Sequence, residues 1–89
     1  MDIVIKKISE NEFKITINSS SSTTHNVTLT DEVYQNLTKG KVSKEDLLNF
    51  SFKFLLEREP NTSILSSFEL KVISRYFPEY EQNVKSFCK

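Results

Sequence analysis

Apolar and polar positions alternate strictly from Phe13 to Asn18, with Phe13, Ile15 and Ile17 set against Lys14, Thr16 and Asn18. This period of two is that of a half-buried β-strand. Before it, Ile3, Val4, Ile5 and Ile8 form a β-branched run whose alternation breaks at Lys6 and Lys7, and Glu10-Asn11-Glu12 supplies a turn. The pair predicts a β-hairpin. Further on, Val27 and Leu29 alternate with Asn26, Thr28 and Thr30, a short third strand whose parity puts His25 on the buried side at its margin. The six hydroxyl residues Ser19 to Thr24 have too few apolar groups to fix themselves by burial, and predict a flexible loop over 19–24. Three antiparallel strands with one wet face result.

The period changes after Thr30. Thr30 followed by Asp31 and Glu32 reads as an N-cap with acids in the first turn, where they complement the helix dipole. Val33, Tyr34 and Leu37 follow at helical spacing, and Gly40 stands where a left-handed C-terminal cap belongs, so a short helix is predicted from Asp31 to Lys39. Ser43 caps the next helix, with Asp46 three residues on as a shortened capping box, and Pro60 closes it. On a helical wheel Leu47, Leu48, Phe50, Phe52, Phe54, Leu55 and Leu56 cover about two thirds of the circumference. Phe50 to Phe54 also alternates like a strand, but length, capping and the flanking leucines favour helix. Such a helix must be covered on most sides, as a central element or as an oligomer interface. Arg58 lies within its apolar arc and needs a partner, from Glu59, Glu69 or the carbonyls of the last turn.

Beyond Pro60, Ile64, Leu65, Phe68, Val72, Ile73 and Tyr76 fall at helical spacing and predict one amphipathic helix from Ser63 to Phe77, ending before Pro78. Residues 79–89 read as a tail or a marginal helix. The expected fold is therefore α+β: a three-stranded antiparallel sheet, hairpin plus third strand, packed on one long central helix, with a second amphipathic helix and a short helix beside it.

The 89 residues suffice for a single small domain, 1–89, whose modest core has to be economical or shared with a second copy, so a homodimer is an expected form. Twelve basic and twelve acidic residues balance to zero net charge and are spread evenly, which disfavours affinity founded on phosphate neutralisation. A lone cysteine, Cys88, offers neither an internal disulfide nor a thiolate metal framework. The longest apolar runs, Ile3 to Ile5 and Phe54 to Leu56, are far too short to span a bilayer or to serve as a secretion signal, so the expectation is a cytoplasmic protein without a membrane partner.

Candidate chemistry is sparse. His25 and Cys88 are the single members of their kinds, and no G-x-S-x-G turn, CxxC pair or glycine-rich phosphate loop accompanies them. No catalytic residue, metal or cofactor is expected. The outward positions of the sheet lack the aromatics that single-stranded RNA stacks upon. Tyr76, Phe77 and Tyr80 cluster around Pro78, where they either dock a protein partner or close the small core as a lid. The expected role is a non-catalytic binding module for a protein partner or a second copy.

Two resemblances extend this reading. The order strand, helix, turn, helix in VTLTDEVYQNL followed by GKVSKEDLLNFSFKFLL resembles the ribbon-helix-helix DNA-binding proteins and antitoxins. That likeness implies a strand pairing with its copy in a ribbon that enters the major groove, with Asn26, Thr28 and Thr30 as base readers and the amides after Ser43, at Lys44, clamping a phosphate. The chain departs from that pattern in its preceding hairpin and in a reading face without Arg or Lys. The stretch FSFKFLLEREPNTSIL, with the ending RYFPEYE, also looks like a group of short uncharacterised prokaryotic proteins, a likeness that implies no particular activity.

Overall fold

The computed structural model describes residues 2–88, which form a four-stranded mixed sheet with four α-helices. Strands β1 (Asp2–Lys7), β2 (Glu12–Asn18) and β3 (Thr23–Thr28) run antiparallel as expected, and the alternation of β2 is realised with Phe13, Ile15 and Ile17 buried. The hairpin closes through Ile8 N–H on the Glu12 carbonyl at 2.9 Å, and its odd and even residues bond to opposite neighbours from there on. His25 is buried on β3 as its parity requires. Because β3 begins at Thr23, the loop expected over 19–24 is shorter by two residues.

Helix α1 (Asp31–Thr38) is capped by Thr30, whose Oγ1 accepts from Val33 N–H, and ends on Lys39 and Gly40, both left-handed at φ 53° and 74°. Glycine takes the second of these positions without a Cβ penalty. Helix α2 (Lys44–Leu56) is capped by Ser43 Oγ, which accepts from Asp46 N–H at 3.0 Å. Its Leu47, Leu48, Phe52, Phe54 and Leu55 are buried, so most of the broad apolar arc is covered within one chain by the sheet and the last helix, with Phe50 and Leu56 partly buried at its margins.

The segment after Pro60 corrects the sequence reading. In place of one helix over Ser63 to Phe77 there is a 3₁₀ turn (Asn61–Ser63), a fourth strand β4 (Ser67–Glu69) and a short helix α3 (Val72–Tyr76). The sheet thus has four strands, with β4 parallel to β3 and Val27 opposite Phe68. The physical cause lies in β3, whose outer edge would otherwise leave its N–H and C=O groups without partners. Asn26 N–H donates to the Ser66 carbonyl at 2.8 Å, and Leu70 N–H donates to the Thr28 carbonyl at 2.9 Å.

Of the two alternatives for 79–89, tail or marginal helix, the described residues take the helix: α4 (Tyr80–Phe87) buries Tyr80 and Val84, with Cys88 at its end. Arg58 reaches neither Glu59 nor Glu69. Its Nε donates to Glu79 at 3.1 Å, its Nη1 donates to the Phe54 carbonyl at 3.0 Å, and its guanidinium lies 3.6 Å from the Phe54 ring centroid. Hydrogen bonds from its own backbone N–H and from Arg58 hold the Glu79 carboxyl below the usual carboxylate range. Stability from a depressed carboxylate is fully present above the unfolded-state pKa and lost as pH falls through the folded-state pKa. A Glu79→Gln variant should therefore show a shallower fall in melting temperature between about pH 5 and pH 3 than the parent; parallel curves would exclude this linkage.

Candidate functional site

Five large apolar side chains are exposed among the described residues, and they fall in three places. Phe87 stacks on Phe50 at 4.5 Å, Val4 and Ile8 lie at the β1 end of the sheet, and Leu65 and Tyr76 flank an open groove of about 380 Å³ beside β4. The groove is floored by Leu55, Ile64 and Ile73, walled by Phe68, Val72 and Phe77, and rimmed by Glu59 and Tyr76. Tyr76 is 66% exposed and Leu65 is 48% exposed, so both present apolar surface to solvent at the mouth.

Local chemistry sets this shape. Pro60 is extended, at φ −70° and ψ 157°, and leads into the 3₁₀ turn, where Ser63 N–H donates to the Pro60 carbonyl and Ile64 N–H to the Asn61 carbonyl. The Asn61 amide donates to the Ser21 carbonyl at 2.7 Å and to Thr23 Oγ1 at 2.9 Å. His25 Nδ1 donates to the Leu65 carbonyl at 2.7 Å, because a carbonyl can only accept; Nε2 then accepts from the Thr23 hydroxyl at 2.9 Å. A buried chain of polar groups therefore pins the groove wall to β3, and the wall is pre-organised. The His25 ring also lies 5.6 Å from that of Phe52.

The free edge of β4 adjoins the groove. Since β4 bonds to β3 through Ser66 and Leu70, the N–H and C=O groups of Ser67 and Glu69 point away from the sheet. This edge could accept a further short strand, whose inward side chain would meet the groove.

The residues singled out from sequence separate here. Tyr76 and Phe77 line the groove, whereas Tyr80 is fully buried and its hydroxyl donates to Ser51 Oγ, which donates in turn to the Leu47 carbonyl. Burial pushes the Tyr80 phenol well above its ordinary value, as expected for a core side chain. The three aromatics do not form one exposed cluster. Asn26 and Thr28 lie on the wet face of β3, but β3 is flanked by β2 and β4, so the intermolecular ribbon implied by the ribbon-helix-helix likeness finds no free edge there. The Thr30 hydroxyl and Ser43 Oγ are spent as caps, and the Lys44 ammonium binds Asp31 at 2.6 Å and the Glu10 carbonyl at 2.9 Å. Cys88 is buried, with its thiol pushed up by that burial. No cluster of His, Cys, Asp or Glu suited to a metal occurs among the described residues, and none of their helices is long and apolar enough to cross a membrane. Helical spacing places Ile64, Leu65 and Phe68 in one core-facing stripe, so no groove is legible there from the sequence. No family model, curated protein or solved structure matches the chain, so the reading of this groove rests on its own geometry.

Proposed function

We propose that the protein is a small non-catalytic interaction module that receives an extended segment of a partner protein in the groove between β4 and α3. The observation that supports this most is the conjunction of an open apolar groove, flanked by exposed Leu65 and Tyr76, with a free strand edge at Ser67 and Glu69. Main-chain bonds along such an edge supply affinity, and a pocket for the inward side chain supplies specificity. Glu59 at the rim forms no ion pair among the described residues, so the fitting segment carries a large apolar residue beside Lys or Arg.

Panning a random peptide library on the purified protein tests the reading. Enriched peptides should combine an aromatic or large aliphatic residue with a neighbouring basic one. Tyr76→Ser and Leu65→Ser, both at exposed positions, should each weaken those peptides about tenfold while the circular dichroism spectrum is unchanged. No enrichment, or peptides that bind both variants as well as the parent, would refute the groove as a binding site.

A further inference from the structure

The opposite edge of the sheet, β1, is also open, and its residues are arranged to pair with themselves. Alternation from the Ile8–Glu12 bond assigns the N–H and C=O groups of Lys6, Val4 and Asp2 to β2, and those of Ile3, Ile5 and Lys7 to the free edge. An antiparallel second copy must then match odd residues with odd ones, which leaves few registers. With Val4 opposite Val4 of the second copy, Ile3 meets Ile5 twice on the core side, and Asp2 meets Lys6 twice on the wet side. Moving the centre to Ile5 sets Val4 against Lys6; moving it to Lys6 sets the two Lys6 ammonium groups against each other. Moving it to Ile3 leaves Lys6 with no opposite residue in β1. Opposite charges directly across a ladder attract and like charges repel, so the centred register is the one the charges select.

We propose that two copies of the chain join edge to edge through β1, about a two-fold axis at Val4, into one continuous eight-stranded sheet. The axis runs perpendicular to the sheet, so both α2 helices lie on the same side of it. Beneath β1 an apolar hollow is lined by Ile3 and Leu56, with Lys53 and Glu57 beside them. A symmetry-related copy covers that hollow with the same residues, and an isologous contact can set Lys53 against Glu57. Val4, 52% exposed on the wet face, gains a partner side chain at the axis. Lys6 and Lys7 are the kind of charge that guards an edge against arbitrary pairing; here Lys7 is held by Glu10 at 3.7 Å, and Lys6 becomes the residue that sets the register. Since β1 and β4 are at opposite ends of the sheet, this dimer leaves the groove open, and either proposal stands if the other fails.

Sedimentation equilibrium of the full chain should give a mass approaching twice 10.4 kDa as concentration rises. Lys6→Glu and Asp2→Lys should each weaken the dimer about tenfold, and the double variant Asp2→Lys/Lys6→Glu should restore it. In a Cys88→Ser background, Val4→Cys should cross-link to its copy on mild oxidation whereas Lys6→Cys should not, because its neighbour across the axis is Asp2. A monomer at all concentrations up to about 1 mM would overturn the proposal. A dimer that ignores both charge variants, or a cross-link at Lys6→Cys in place of Val4→Cys, would do the same.

Discussion

Truncating Tyr80 to alanine is expected to cost about 3–5 kcal/mol in a urea titration, the range for removing a large buried aromatic. The ring is wholly inaccessible and meets Phe54 edge-on at 5.3 Å, so its loss opens a cavity between α4 and α2. Tyr80→Phe separates packing from polarity. The phenol donates to Ser51 Oγ, and Ser51 keeps its own bond to the Leu47 carbonyl, so the phenylalanine variant should lose only about 0.5–1.5 kcal/mol. Against a total stability of about 5–15 kcal/mol for a domain of this kind, the alanine variant should be close to unfolding. If α4 were a detached tail, both changes would be nearly silent.

The second large effect is expected at Phe52. Its side chain is fully buried, and its ring stands between those of His25 at 5.6 Å and Phe68 at 6.1 Å. Phe52→Ala should therefore cost about 3–5 kcal/mol, and it should also loosen β4, since Phe68 loses the surface it packs upon. Ser20→Ala in the exposed loop is the control, and should change stability by less than about 0.5 kcal/mol. Equal midpoints for the two variants would mean that the core lies elsewhere.

Much of this fold is legible in the sequence where local chemistry decides it. The alternation of Phe13, Ile15 and Ile17, the caps at Thr30 and Ser43, and the Gly40 stop each specify an element without reference to the rest of the chain. The segment from Ser63 to Phe77 is different, because its identity depends on a distant strand. Ile64, Phe68, Val72 and Tyr76 do recur at helical spacing, but fully buried Leu70 falls on the far side of that wheel. In strand geometry Phe68 and Leu70 share the core side, and Asn26 and Thr28 offer the bonds that make it a strand. Helix α4 is legible only as one of two alternatives, tail or marginal helix, because Tyr80, Val84 and Cys88, which recur every fourth residue and mark its buried face, lie in a short, polar segment. The groove was legible only through Tyr76 and Phe77. Its other walls come from breaking the expected helix, and its rigidity comes from His25 and Asn61, whose bonds to Leu65, Ser21 and Thr23 span sequence separations that no local pattern encodes.

The groove, the free β4 edge and the binding role proposed for them all require residues 61–77 to fold as turn, strand and short helix. Nuclear Overhauser spectroscopy on labelled protein reads this directly. Contacts across Val27 and Phe68, with slowly exchanging amides at Asn26 and Leu70, are expected. An unbroken run of sequential amide–amide contacts from Ser63 to Phe77, with none to β3, would contradict it.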